Sequence, residues 1–202
     1  CDRCLKRLSL LSGPLCPRCG QPQPSDMLCP SCASRHSDIT AIRSVFRFDG
    51  VIRRAIIELK YHNLRAISPT LSASLAERLR DEAFVPDLIV PVPLHPIRLR
   101  RRGYNQAALL ARELGRLQGI GVSECALTRI RAGDSQVRTR NAAARRQNVA
   151  GAFACRDTIV SGKRILVVDD VCTTGATLEA CASALRNAGA TEVWGFTLAR
   201  EV

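Results

Sequence analysis

The sequence predicts an α/β protein: a mostly parallel, doubly wound sheet flanked by helices, with a small cysteine-rich module in front. Three observations carry that expectation. From residue 39 onward, short apolar runs alternate with segments of helical periodicity, the pattern of repeated βαβ units. The run Ile165-Leu-Val-Val168 is β-branched and unalternating, as in a parallel strand buried on both faces. Six of the ten cysteines fall in the first 32 residues as three C-x-x-C pairs.

Residues 1–38 are rich in Cys, Pro, Gly and Ser, with little periodicity beyond Leu5–Leu11. A C-x-x-C turn converges two thiolates on one tetrahedral ion. Cys16-Pro-Arg-Cys19-Gly20 and Cys29-Pro-Ser-Cys32 supply four sulfurs and read as a zinc ribbon, so Cys16, Cys19, Cys29 and Cys32 are the expected Zn²⁺ ligands. Such a module buries little surface and draws its stability from the metal. Cys1/Cys4 has no partner knuckle and is read as half of a second, truncated site; a start at Cys1 rather than Met agrees with a fragment. His36 is an alternative ligand or an exposed histidine in the polar link Ser34–Asp38. A redox role for the C-x-x-C pairs lacks a surrounding thioredoxin-like βαβ pattern.

Residues 39–202 form the second unit. Ile42–Phe48 is the first expected strand. Val51–Lys60 is a helix with Ile52, Ile56 and Leu59 on one face. Pro69-Thr70 opens a second helix, in which Leu71, Leu75 and Leu79 recur every four residues. Asp87–Val90 is a short buried strand stopped by Pro91 and Pro93. Gly103–Leu117 carries Leu110, Leu114 and Leu117 at helical spacing, with the helix starting near Asn105. Lys163–Asp170, Ala176–Ala188 and Glu192–Ala199 complete the unit as strand, helix and strand.

Chemistry concentrates after the Ile165–Val168 run. Asp169 and Asp170 fall at the carboxyl end of a strand, where open α/β sheets bind their ligands. Thr173, Thr174, Gly175, Ala176 and Thr177 form a tight turn into a helix, and backbone N–H groups there make a phosphate cradle beside the hydroxyls. Phosphate next to two carboxylates describes a ribose 5-phosphate site. An ordinary alternative is a solvated turn and helix cap. No G-x-x-x-x-G-K-[ST] element is present, so an ATPase reading lacks its phosphate loop. A second segment, Val90 to Gln106, runs from a strand end through a proline-locked turn into Arg98, Arg100, Arg101 and Arg102. Clustered guanidiniums suit a pyrophosphate; a solvated basic loop is the bland reading. His95, between prolines, reads as a turn residue.

The V-D-D-V-C-T-T-G-A-T stretch resembles the signature of type I phosphoribosyltransferases for 5-phosphoribosyl 1-pyrophosphate (PRPP). That resemblance implies Asp169 and Asp170 on the ribose hydroxyls and Thr173–Thr177 on the 5′-phosphate. P-V-P-L-H-P, R-R-G-Y-N-Q-A and V-D-D-V-C-T-T-G-A-T, in that order behind a cysteine ribbon, make the chain similar to the ComF family over nearly its whole length. Lys60-Tyr61-His62 matches that family's Leu-Lys-Tyr stretch. By analogy Lys60, Pro93, Arg98 and Arg102 would serve the pyrophosphate, the other reading being a surface lysine with Tyr61 packed below it. Arg129–Phe153 has Arg129, Arg131, Arg138, Arg140, Arg145 and Arg146 against one acid, Asp134. In resembling enzymes that segment is a hood closing over PRPP. Gln136, Arg145 and Asn148 match the family's pattern, whereas Thr139 and Arg140 stand where it has a leucine. Cys172 is read as a small filler in the loop.

Composition narrows the partners. A net charge of +12 favours pyrophosphate, nucleotides or nucleic acid, while 4% aromatics argue against a broad base-stacking platform. No apolar run reaches bilayer-spanning length and no signal peptide is visible, and nucleotide chemistry favours a cytoplasmic location. Three readings follow. One is Mg²⁺-dependent phosphoribosyl transfer from PRPP to an unknown acceptor, which the ComF resemblance links to competence and DNA uptake. Another is a non-catalytic component of the uptake machinery that binds single-stranded DNA or senses PRPP, with DNA-uptake proteins as partners. The blandest is a zinc-ribbon adaptor.

Overall fold

The computed structural model describes residues 2–131, 149 and 151–202. Its centre is a four-stranded, wholly parallel sheet in the order β1-β6-β5-β2. The strands are β1 (Ala41–Arg47), β2 (Leu88–Pro91), β5 (Arg164–Cys172) and β6 (Glu192–Arg200). Successive side chains of β5 point to opposite faces, and Ile165, Leu166, Val167 and Val168 are all fully buried. Leu166 and Val168 join Phe196 and Leu198 in one core, against Ile52, Ile56, Leu59, Leu71, Leu75, Leu110 and Leu114. Those residues come from α3 (Gly50–Tyr61), α4 (Ser68–Arg80) and α6 (Gln106–Gln118). Ile165 and Val167 face a second core with Leu178, Cys181 and Leu185 of α7 (Ala176–Asn187). The antiparallel pair β3 (Leu127–Arg129) and β4 (Phe153–Cys155) closes that face. Helices on both faces of a parallel sheet are what the two-sided apolar run requires.

Three elements differ from the sequence reading. The strand expected to stop at Asp170 continues to Cys172, so both aspartates lie within β5. β6 holds it there, pairing Asp169 with Thr197 and Cys172 with Arg200, whereas β2 pairs only as far as Val168. The carboxylates thus sit where one neighbouring strand has ended. The proline-locked basic segment is not a loop throughout: Pro96–Arg102 is a helix, α5. Pro96 suits the first helical position, His95 caps it by accepting from the Ile97 N–H at 3.4 Å, and Gly103 ends it in a left-handed conformation. The following helix starts at Gln106, capped by Asn105, and Leu117 is exposed rather than core.

The N-terminal segment contains the single-turn helices α1 (Asp2–Leu5) and α2 (Pro30–Ala33) and lies against the sheet. Leu11 N–H donates to Val45 O and Arg47 N–H to Ser9 O, which runs this segment along β1. Ile42 N–H donates to Arg18 O at 2.7 Å. Cys1 and residues 132–148 and 150 lie outside the described residues, and with them the expectations for the half-site at Cys1 and for Asp134, Gln136, Arg138, Thr139, Arg140, Arg145, Arg146 and Asn148.

Candidate functional site

The end of β5, the turn into α7, the end of α3 and the loop after β2 converge on one cleft of about 380 Å³. Lys60, Pro93, Arg98, Arg102, Asp169, Asp170, Thr173 and Thr177 all line it. Thr174, Gly175 and Ala176 form the turn behind Thr173 and Thr177 without lining the cleft. Residues 117 positions apart in sequence (Lys60 and Thr177) meet because parallel strands present their carboxyl ends on one side.

The carboxylates differ in their partners. Asp170 is 3% exposed; its Oδ1 accepts from Lys60 Nζ at 2.9 Å, and its Oδ2 is buried with no donor among the described residues. Asp169 Oδ1 accepts from the Asp170 N–H at 2.8 Å. Burial and then the neighbouring Asp170 charge push the Asp169 carboxyl up to about 7, against the opposing pull of Lys60. Asp169 keeps some solvent contact yet is densely surrounded by protein, so desolvation dominates. Lys60 is positioned from below: the Tyr104 hydroxyl donates to Leu59 O, fixing the last turn of α3.

The turn into α7 is shaped by Gly175, which has φ +77°. A Cβ there would come within 2.9 Å of Ile42 Cδ1 and push that methyl aside, but it is the left-handed conformation that requires glycine. Thr174 Oγ1 accepts from the Ala176 N–H at 3.4 Å. Glu179 N–H donates to Gly175 O at 2.9 Å, beginning the helical ladder.

On α5, Arg98, Arg101 and Arg102 share one face, as residues three and four apart do, whereas Arg100 lines neither this cleft nor the hollow beside it. That hollow, about 510 Å³, is lined by Lys60, Tyr61, Asn63, Arg98, Arg101, Arg102 and Tyr104. Tyr61 does not pack underneath Lys60: it is 69% exposed, with Arg102 stacked over its ring at 5.3 Å. Arg65 stacks on Tyr104 at 4.2 Å. Asn105 Nδ2 donates to Val92 O at 2.9 Å, tying the turn after β2 to the start of α6.

Besides apolar lining such as Phe48 and Val171, sequence reasoning left three polar or charged cleft residues out of the expected site. Gln106 accepts from Arg102 and so orients that guanidinium. Glu201 reaches the cleft from the chain's end, with no motif around it. Arg129 was visible only as part of a basic run, yet it lines the cleft from β3 with its charged form disfavoured by burial and by nearby Arg98.

The four cysteines Cys16, Cys19, Cys29 and Cys32 are buried, their sulfurs all within 4.8 Å of one another. Cys19 and Cys29 Sγ are 3.7 Å apart, close to the edge of about 3.8 Å expected of a tetrahedron with Zn–S bonds of about 2.3 Å. Four converging soft donors fit a metal ion. His36 is not among them; its ring lies 3.6 Å from Asp38 and is 90% exposed. Cys4 is exposed. Among the described residues no helix is long and apolar enough to cross a membrane.

The chain is similar in sequence to known proteins. A family profile described as "Phosphoribosyl transferase domain" matches residues 65–201. The chain is 32% identical to Competence protein F of Haemophilus influenzae, over 99% of this chain and 90% of that protein. Competence protein ComFC of Bacillus subtilis is 29% identical, over 99% and 83%. DNA utilization protein YhgH of Escherichia coli K12 is 34% identical, over 89% and 82%. Among solved structures, the glutamine PRPP amidotransferase of B. subtilis superposes with a TM-score of 0.45 at 26% identity, over 66% of this chain and 26% of that one. With the profile covering most of its strands and the relatives matching it from ribbon to last strand, the chain belongs to the ComF family, a type I phosphoribosyltransferase fold behind a small cysteine ribbon.

Proposed function

We propose that the chain transfers the 5-phosphoribosyl group of PRPP to an acceptor, with pyrophosphate leaving. The observation that carries this reading is the meeting of Asp169, Asp170, Thr173 and Thr177 with Lys60, Arg98 and Arg102 in one cleft. The turn Thr173–Thr177 would hold the 5′-phosphate on backbone N–H groups and hydroxyls. Asp169 and the Oδ2 of Asp170, which has no donor among the described residues, would accept from the ribose hydroxyls. Lys60, Arg98 and Arg102 would hold the pyrophosphate, the arginines with paired donors. In the reaction the C1–O bond breaks, its electron pair leaves on pyrophosphate, and an acceptor lone pair forms the new bond to C1. The carboxylates would stabilise positive charge developing on the ribose, so catalysis rests on position and electrostatics. Cations facing carboxylates fit a magnesium–pyrophosphate ligand, and Mg²⁺ bound with PRPP would neutralise the leaving group. The four-cysteine centre is assigned to structural Zn²⁺ on its donor set.

Calorimetry with PRPP and Mg²⁺ on the wild type and on Asp169→Asn/Asp170→Asn tests the site. Binding should be measurable in the first and lost in the second; a wild type that does not bind would overturn the reading. Pyrophosphate release screened over nucleobases, amines and nucleic acid then tests transfer and finds the acceptor.

A second reading, binding of single-stranded DNA, is favoured by the acid-free hollow of Lys60, Arg98, Arg101 and Arg102 with the exposed Tyr61 ring beside it. Cations supply phosphate contacts and the ring a stacking face. The relatives' names, competence and DNA utilization, agree with a role in DNA uptake. Affinity for an oligonucleotide should fall steeply with salt and weaken in Arg101→Glu; a flat salt response counts against it.

A further inference from the structure

Arg200 ends β6 and is 2% exposed, so its guanidinium is withdrawn from water. Nη1 donates to Cys19 O at 2.7 Å and to Cys172 Sγ at 3.0 Å; Nε and Nη2 both donate to Gln21 Oε1, at 3.2 and 3.1 Å. Every one of these acceptors is formally neutral or a thiol, and none of the ion pairs among the described residues includes Arg200. A buried guanidinium without a counter-charge is costly. The compensating charge is one ligand away: four thiolates on a divalent ion carry a net negative charge, and Arg200 bonds the carbonyl of one ligand residue, Cys19. On its other side the same nitrogen holds Cys172, the residue from which the phosphate turn departs.

A second contact runs parallel to the first. The first knuckle packs on β1 at Ile42: Arg18 O accepts from the Ile42 N–H, and a Cβ on Gly20 would fall 2.5 Å from Ile42 O. The Ile42 side chain in turn fills the space under Gly175. Ser37 Oγ and the Asp38 N–H both donate to Glu179 in the first turn of α7, each at 2.7 Å.

We propose that Arg200 is a positioning residue, through which metal occupancy of the Cys16/Cys19/Cys29/Cys32 centre sets the shape of the phosphate turn. This rests on the metal and PRPP assignments above. With the centre filled, Arg200 is held between Cys19 and Cys172 and the turn starts from a fixed point. With the centre emptied, the guanidinium loses its counter-charge and the link to Cys172 is released. By thermodynamic reciprocity, a ligand that orders the turn tightens the metal.

Mass-mapped alkylation of the full metal-loaded chain tests the link without a substrate, using Cys172 as reporter and the fully buried Cys181 of α7 as internal reference. Chelation of the metal should speed Cys172 alkylation about 10-fold or more, the scale of a local opening, and leave Cys181 unchanged. Arg200→Met should do the same in the presence of metal, Gln21→Ala should do so more weakly, and Arg200→Lys should restore part of the protection. An unchanged Cys172 rate overturns the proposal. So does joint exposure of Cys172 and Cys181, which would mean that metal loss unfolds the domain at the temperature of the assay instead of opening this link. In a second arm, PRPP with Mg²⁺ should slow metal release to a chelator in wild type and not in Arg200→Met. PRPP that binds without slowing release overturns the coupling, whereas failure to bind at all sinks the substrate assignment and leaves the alkylation result to decide the link.

Discussion

Two adjacent carboxylates of one strand end up in different electrostatic states. Asp170 is paired with Lys60, while Asp169 is raised to about 7 by burial and by its neighbour. Because the folded value lies above the ordinary 3.8, the fold favours the protonated carboxyl. That contribution to stability is complete below about pH 4 and is lost as pH rises through 7. Asp169→Asn should therefore raise the stability of the ligand-free chain at pH 8 by up to about 4 kcal/mol, with little change at pH 4, as measured by denaturant titration. Affinity for the ribose hydroxyls has the opposite slope, since they donate to the ionised form. PRPP binding in wild type should strengthen between pH 6 and 8, and the variant should lose that dependence. Gly175→Ala forces a side chain into a left-handed conformation and against Ile42. It should cost roughly 1–2 kcal/mol and weaken binding of the 5′-phosphate, with thermal melts and calorimetry as readouts.

At the scale of elements, β5 was legible because its apolar run is short, branched and unalternating, and the helices α3 and α4 because their leucines and isoleucines recur on one face. α5 was not legible. Pro96–Arg102 has no apolar face to repeat, and its helical state comes from Pro96, the His95 cap and Gly103. The difference has a functional reading. In a loop all four arginines could turn toward a ligand, whereas in a helix Arg100 points away from Arg98 and Arg102. Arg98→Ala and Arg102→Ala should each weaken pyrophosphate binding about 10-fold, as expected for charge-assisted pairs, while Arg100→Ala should change it less than about 2-fold. Equal losses for all three would refute a helical presentation. Arg200, Glu201 and Gln106 escaped sequence reasoning for a related reason. Gln106 lies only four residues from Arg102, but its orientation toward that guanidinium depends on the break between α5 and α6. Glu201 has no motif around it, and only the parallel pairing of β5 with β6 brings Arg200 beside Cys172.

For the whole molecule, the cysteine centre and the sheet form one packed body, joined at Leu11–Val45, Arg18–Ile42 and Arg200–Cys19. Removing the metal should therefore lower the melting temperature of the entire chain and not only of a small module. Elemental analysis should find about one zinc per chain, lost in Cys16→Ser, with a fall of several degrees in thermal melting. A separate low-temperature transition, with the main melt unmoved, would contradict that coupling.

The strip Ser9–Leu11 has a further consequence. β1 is an outer strand of the sheet, and its free N–H and C=O groups would be a template for any extended peptide. The backbone bonds from Arg47 to Ser9 and from Leu11 to Val45 occupy part of that edge. A shortened chain beginning at residue 39 would look complete by its motifs, yet it would carry an uncovered strand rich in Ile42, Val45 and Phe46. Such a truncation should associate with itself in light scattering, even with every cleft residue intact. The ribbon thus also keeps the sheet solitary.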